Sequence, residues 1–253
     1  MHINLSSQNI LVTGASRGIG NAIARQLAAS GARVAVHYSQ NREIAEKLAA
    51  QLGNGAVAFG AELANPAECQ QLFDEVTAAF GQVHALVNNA GIALKSPLDA
   101  SDEQWLNDWQ QTMDVNLTAS GILSRLAIRH FLVQPQGGRL IHISSRAAFR
   151  GDTAEYMAYA ASKAGMVALS RSIARAYGKQ NIKSFIIAPG FTQTDMAQDF
   201  MDEYGTDYAI KDLALSSLTQ PADIAPMIVL LASGLADHAT GCTIDINAGS
   251  YVH

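Results

Sequence analysis

The sequence predicts an α/β fold, one doubly wound parallel sheet of seven strands with helices on both faces. Three observations carry that prediction. Short β-branched or aliphatic runs alternate with longer segments of helical period, the pattern left by βαβ units around a parallel sheet. The strand runs are nearly continuous in apolar residues, as strands buried on both faces require. No Pro/Ser-rich linker, internal repeat or low-complexity stretch divides the 253 residues, so residues 1–253 are expected to form a single domain.

The strands are expected at Ile10-Leu11-Val12, Arg33-Val34-Ala35-Val36, Val57-Ala58-Phe59, Ala85-Leu86-Val87, Leu140-Ile141-His142-Ile143, Ser184-Phe185-Ile186-Ile187 and Thr243-Ile244-Asp245-Ile246. Between them apolar residues recur three and four apart: Ile19, Ile23 and Leu27; Ile44, Leu48 and Leu52; Leu72, Val76 and Phe80; Ile224, Ile228 and Leu231. Each set is one apolar helical stripe laid over the sheet. From Thr192 to Gln220 the periodicity is weak. That segment reads as a long irregular substrate loop or lid, or as an extra helix pair used in packing.

Composition narrows the function classes. Apolar residues make up 49% and charged residues 15%, enough for a sizeable core and far from the composition of disordered or fibrous chains. Seventeen Lys+Arg against twenty-two Asp+Glu give a net charge of −5. Neither sign is collected into a block, so a nucleic-acid partner is not expected. Cys69 and Cys242 form no Cys-x-x-Cys and no helix carries a His-x-x-x-His pair, so neither a disulfide framework nor a metal is expected. Met1 to Gln8 lacks the basic start and apolar run of a signal peptide. Nowhere do ~18 apolar residues follow one another. A soluble, cytoplasmic protein without a membrane partner is expected.

Thr13-Gly14-Ala15-Ser16-Arg17-Gly18-Ile19-Gly20 follows the first strand and opens the first amphipathic helix. Glycines permit a tight turn and close approach of a pyrophosphate, while free N–H groups and the positive end of the helix stabilise the anion. The spacing is G-x-x-x-G-x-G. With Asn88-Asn89-Ala90-Gly91 after the fourth strand, Asn116 in Asp114-Val115-Asn116-Leu117-Thr118, Ser145 in His142-Ile143-Ser144-Ser145, Tyr159 and Lys163 in Tyr-x-x-x-Lys, and Pro189-Gly190 after the sixth strand, the chain resembles the short-chain dehydrogenase/reductase family. The resemblance runs nearly end to end and implies a Rossmann fold that binds a nicotinamide dinucleotide.

Tyr159 and Lys163 are four apart on a predicted helix, so both reach one pocket. An ammonium beside a phenol favours the phenolate, so Lys163 is expected to lower the pKa of Tyr159. Ser145 is expected to present its hydroxyl to a substrate carbonyl at the C-terminal edge of the sheet. The resemblance implies the rest: Tyr159 exchanges a proton with the carbonyl oxygen as hydride moves between nicotinamide and carbon, and Asn116 holds a water that connects Lys163 to solvent. Tyr156, with Ala160 rather than lysine four residues on, is expected to contact substrate or pack.

In relatives that prefer NAD, an acidic residue ends the second strand and bonds the ribose hydroxyls. Here that place holds Tyr38, within His37-Tyr38-Ser39-Gln40-Asn41-Arg42. No carboxylate is expected there, and Arg17, with Ser39 and Arg42, is expected to bind a 2′-phosphate. NADP(H) is therefore the expected cofactor, with NAD(H) a possible substitute. By resemblance, Glu62-Leu63 reads the adenine edge, Asn89, Ala90 and Gly91 border the cofactor, Pro189, Gly190 and Thr192 border the carboxamide, and Thr194 caps the segment that follows.

The segment Pro189 to Met196 looks like the branch containing 3-oxoacyl-(acyl-carrier-protein) reductases. An acidic carrier protein needs basic docking residues, yet Phe131 to Gly138 carries none and Gln180 stands where a basic residue is frequent. A 3-oxoacyl thioester, an acyl-CoA, a sugar, a steroid or a secondary-metabolite ketone all stay open as substrate. A cofactor-sensing regulatory protein on the same fold is the alternative of another class. The resemblance also implies a homotetramer or homodimer formed through the helices that carry Asn116 and Tyr159, with the last helix and strand. Ala158, Ala160, Ala161, Ala164, Gly165 and Ala168 permit close helix approach there.

Overall fold

The computed structural model describes residues 3–205 and 210–252. Seven strands form one parallel sheet: β1 (Asn9–Val12), β2 (Arg33–Tyr38), β3 (Val57–Gly60), β4 (Ala85–Asn88), β5 (Gly138–Ile143), β6 (Ile182–Pro189) and β7 (Thr243–Ile246). Their order is β3-β2-β1-β4-β5-β6-β7. The winding reverses between β1 and β4, and at that switch point a crevice opens beyond the C-terminal ends of the strands. All seven expected strands are present, six of them longer than the apolar run that marks them.

Alternation along the central strands feeds two cores. Ile10, Val12, Val34, Val36, Val87, Ile141 and Ile187 face one side. Leu11, Ala35, Leu86 and Leu140 face the other. Helices α1 (Gly18–Ala29), α2 (Arg42–Leu52) and α9 (Pro221–Ser233) supply buried side chains to the first core. Helices α3 (Pro66–Phe80), α5 (Ala119–Phe131) and α7 (Met157–Tyr177) supply them to the second. A π-helical turn, Asp114–Thr118, joins α4 (Asp102–Met113) to α5. The short α6 (Ala147–Arg150) follows β5.

Three expectations are corrected. Burial on both faces holds for the central strands but fails at the edges, where Val57 of β3 and Asp245 of β7 are exposed, because an edge strand has a neighbour on one side only. Ile44 is exposed; α2 begins at Arg42 and turns Ala45, Leu48 and Ala49 inward instead. The segment from Thr192 to Gln220 is not irregular throughout. It contains α8 (Asp195–Tyr204), capped by the Thr194 hydroxyl, which accepts the Ala197 N–H. A bridge between Thr192 and Thr219 ties the ends of the segment together, and its residues 206–209 lie outside the described residues. Among the described residues no helix is long and apolar enough to cross a membrane.

Candidate active site

The turn between β1 and α1 is built by close backbone approach. Gly14 has φ +61°, and a Cβ there would lie 2.9 Å from Ala90 Cα, so this position requires glycine. A Cβ at Gly20 would collide with the Gly14 carbonyl. Asn89 holds the turn from the β4 side, its Nδ2 donating to the carbonyls of Thr13 at 2.8 Å and Gly14 at 3.1 Å. The Thr13 hydroxyl accepts the N–H groups of Asn89 and Ala90. No side chain caps α1 and no acidic residue stands in its first turn. The N–H groups at the start of α1 are thus left to an anion, and the donor set fits a dinucleotide pyrophosphate.

This turn floors a cleft of about 370 Å³. Of the residues expected to bind cofactor, Gly14, Ser16, Arg17, Gly18, Ile19, Gly20, Tyr38, Ser39, Glu62, Leu63, Asn89, Ala90, Gly91 and Thr194 line it. A second cleft of similar size shares Ile19, Asn89, Gly91 and Thr194 with the first and carries Ser145, Tyr159, Lys163, Pro189, Gly190 and Thr192. The two form one crevice over the switch point.

Within it the catalytic candidates converge. Ser145 and Tyr159 both line the cleft, and the Ser145 hydroxyl acts on the Tyr159 phenol. Ser144 also borders the cleft, but its hydroxyl is committed to the Lys163 carbonyl, to which it donates at 2.8 Å, which singles out the second serine of the pair. Lys163 Nζ lies 5.7 Å from the centre of the Tyr159 ring and donates to the Ile143 carbonyl at 2.9 Å. Tyr156 lines the crevice and packs on Phe200. Phe191 packs on Phe200 from another side, and Arg146 lies over Phe191 at 4.9 Å.

Electrostatics corrects one expectation. Burial raises the Tyr159 phenol to about 12, the Ser145 hydrogen bond opposes that shift and the Asp152 carboxylate adds to it. Burial, and not the Lys163 ammonium 5.7 Å from the ring centre, sets the direction of the Tyr159 shift. Burial also pushes Lys163 itself down to about 8, since a desolvated ammonium is disfavoured.

Comparison with known proteins finds relatives along nearly the whole chain. A family model described as enoyl-(acyl carrier protein) reductase matches residues 14–251. The 3-oxoacyl-(acyl-carrier-protein) reductase FabG of Vibrio cholerae is 34% identical over 250 residues, covering 99% of this chain and 100% of that protein. FabG of Staphylococcus aureus is 35% identical over 249 residues, covering 97% and 99%. A short chain dehydrogenase from Burkholderia cenocepacia in complex with NADP superposes with a TM-score of 0.90 at 34% identity, covering 98% of this chain and 99% of that one. A blue fluorescent protein from a metagenomic library in complex with NADPH also superposes with a TM-score of 0.90, at 34% identity, covering 98% and 100%. The chain belongs to the short-chain dehydrogenase/reductase family. It is an NAD(P)-dependent oxidoreductase by that membership.

Two expected site residues of this dehydrogenase/reductase stand apart from the crevice. Arg42 is exposed and pairs with Glu46 at 2.7 Å along α2. Asn116 is buried in the π-helical turn with its side chain fully engaged. Its Nδ2 donates to the Ile92 carbonyl and the Ser162 hydroxyl, and its Oδ1 accepts the Ile92 N–H. Gly91 lies against both Asn116 Oδ1 and Lys163 Nζ, since a Cβ there would be 3.2 and 3.1 Å from them.

Tyr38 ends β2 as expected, and a carboxylate nonetheless reaches the neighbouring residue from another strand. Glu62, from the turn after β3, accepts the Ser39 hydroxyl at 3.0 Å, so a carboxylate borders Ser39 from a neighbouring strand. Sequence reasoning missed His37, whose ring is buried beneath the glycine turn. The signal present was a histidine inside an otherwise apolar strand.

Proposed function

We propose that this oxidoreductase is an NADPH-dependent carbonyl reductase acting on an apolar ketone, with a 3-oxoacyl thioester as the favoured substrate class. The observation that carries the proposal is the single crevice that joins Ser145, Tyr159 and Lys163 to the glycine turn. Relatives named as 3-oxoacyl-(acyl-carrier-protein) reductases and similar structures holding NADP or NADPH support it.

A dinucleotide bound there supplies or accepts hydride. Gly14, Gly18 and the α1 N-terminus would hold its pyrophosphate, Arg17 and Ser39 its 2′-phosphate, and Glu62 with Leu63 its adenine. Ser145 donates a hydrogen bond to the substrate carbonyl, polarising it and fixing its orientation. Tyr159 gives its proton to the carbonyl oxygen as charge develops there. A phenol held above its ordinary pKa stays protonated until that moment, which suits reduction. Lys163, with its lowered pKa, passes a proton to the phenolate and recovers one from solvent, and Asn116 keeps the Gly91–Ile92 backbone against Lys163.

Beyond Tyr159 the walls carry the rings of Tyr156, Phe191 and Phe200 beside the charged Lys95, Arg146, Arg150 and Asp152. The rings favour an acyl chain or apolar ring over a sugar. Small exposed residues Ala161 and Ala168 on α7, with the stacked Trp105 and Trp109 on α4, support pairing of copies through these helices. Gly165 serves the chain itself, because Leu117 occupies the space a side chain would take. The test is Tyr159→Phe with NADPH and 3-oxoacyl thioesters on carrier protein or coenzyme A. Loss of reduction with retained NADPH binding is expected. Undiminished turnover defeats the mechanism, and wild-type binding without turnover of any ketone favours a cofactor sensor.

A further inference from the structure

We infer that His37 is a positioning residue for the dinucleotide, its neutral imidazole clamping the glycine turn in the conformation that receives the cofactor. The inference rests on the dinucleotide reading above and extends it to a residue outside the motifs.

His37 lies near the C-terminal end of β2, 1% exposed. Its Nδ1 lies 2.9 Å from the Gly14 nitrogen. A backbone N–H only donates, so Nδ1 carries no hydrogen. Its Nε2 lies 3.1 Å from the Ala61 carbonyl oxygen. A carbonyl only accepts, so Nε2 carries the hydrogen. The two partners define one neutral tautomer and use both ring nitrogens. The main chain repeats the connection, with Ala15 N–H donating to the His37 carbonyl at 2.9 Å and Ala61 N–H to the Tyr38 carbonyl at 3.0 Å.

Three segments therefore meet at one ring: the glycine turn after β1, the end of β2, and the turn after β3 that carries Glu62 and Leu63. These are the segments that line the adenosine side of the crevice. Asn89 holds the Gly14 carbonyl from the β4 side and His37 holds the Gly14 N–H from the β2 side. The left-handed Gly14 is thereby gripped at both its polar groups. Replacing the imidazole by an apolar group strands a buried N–H, which relaxes by reorienting the peptide.

Protonation has the same consequence, because an imidazolium has no acceptor. Among the described residues, Glu62 is the charged group that acts on the ring, and its carboxylate favours protonation against the opposing effect of burial. Glu62 is itself held by the Ser39 hydroxyl and the Ala64 N–H.

The test measures binding of NADP⁺, which survives acid, by calorimetry on the intact protein and its variants. At pH 7.5, His37→Leu is expected to weaken binding about tenfold or more, the effect of one unmet buried donor, with kcat at saturating NADPH little changed. His37→Asn, whose Oδ1 can take the place of Nδ1, is expected to stay within about threefold of wild type. Between pH 7 and 3.5, a span that crosses the His37 titration at about 4, wild-type affinity falls more steeply than that of His37→Asn, because only the wild type loses its acceptor; the ligand's own phosphate titrates equally in both. A side chain that merely packs would lower thermal stability and leave both comparisons flat. Wild-type affinity in His37→Leu overturns the inference, and so does an identical acid limb in wild type and His37→Asn, which decides the matter even where His37→Leu does not fold. Failure of the wild type to bind either dinucleotide overturns the functional reading itself.

Discussion

Lys163 Nζ donates to the Ile143 carbonyl at 2.9 Å, across the base of the crevice from Tyr159. The bond ties α7 to the last residue of β5 and so ties the lysine to the strand end that carries Ser144 and Ser145. Sequence spacing puts Tyr159 and Lys163 on one helical face; this contact orients the pair against the serines.

Burial holds Lys163 near 8, so its ammonium is present below that pH and lost above it. The kcat/KM for carbonyl reduction, which reports the free enzyme, is expected to decline above about pH 8. Lys163→Arg keeps its charge throughout and is expected to abolish that decline while lowering activity. A pH–rate profile of both proteins checks this; an unshifted alkaline limb in the arginine variant would remove Lys163 from the explanation.

The adjacent serines separate chemistry from packing. Ser145→Ala removes the hydroxyl proposed to bond the substrate carbonyl and is expected to lower kcat by about 10²–10³-fold, as loss of one oxyanion donor does. Ser144→Ala removes a buried hydrogen bond to the Lys163 carbonyl and is expected to destabilise the fold by about 1 kcal/mol, with a far smaller effect on kcat. Steady-state kinetics and denaturant titration of both variants decide it.

Arg17 and Arg42 are both basic and both near the glycine turn in sequence, yet only Arg17 lines the crevice. Its pairing with Asp195 is loose, 3.7 Å with both side chains exposed, so the guanidinium is available to a phosphate. Arg17→Ala is expected to raise KM for NADPH about tenfold, on the order of one charge-assisted phosphate contact, and to leave KM for NADH unchanged. Arg42→Ala is expected to change neither. Equal effects of Arg17→Ala on the two cofactors would show that the arginine does not read the 2′-phosphate.

Four histidines make the fold acid-sensitive. Burial pushes His37 and His142 down to about 4 and lowers His84 and His130 as well. In the unfolded chain they titrate near ~6.5. Between those values the unfolded state binds more protons, so stability falls as pH drops from about 6.5 toward 4. Urea midpoints are expected to fall across that window. In His142→Asn the slope is expected to be shallower.

A remote anchor gives a stability prediction free of the active site. Arg139 of β5 makes two 2.8 Å bonds to Asp237, just beyond α9, and Lys183 of β6 approaches the same carboxylate at 3.4 Å. The groups are largely buried, so Asp237→Ala leaves two cations facing each other and is expected to cost on the order of 3 kcal/mol. Cofactor affinity should stay at its wild-type level. A thermal midpoint within a degree of wild type would show that the pair contributes nothing.

Local chemistry determined much of this protein. Apolar runs and the spacing of Ile23, Leu27, Leu72 and Val76 specify strands and helices because each element must bury one face, and the positions of Thr13–Gly20, Ser145 and Tyr159-x-x-x-Lys163 follow from those elements. Contacts between distant segments decided the rest. Only the folded chain brings Glu62 to Ser39, leaves Arg42 with Glu46 outside the crevice, commits the Ser144 hydroxyl to the Lys163 carbonyl, and encloses His37 between Gly14 and Ala61. The direction of the Tyr159 shift belongs to the same class. A residue four positions away is legible in a helix, but desolvation depends on everything packed around the ring, and here it is the largest influence on the phenol.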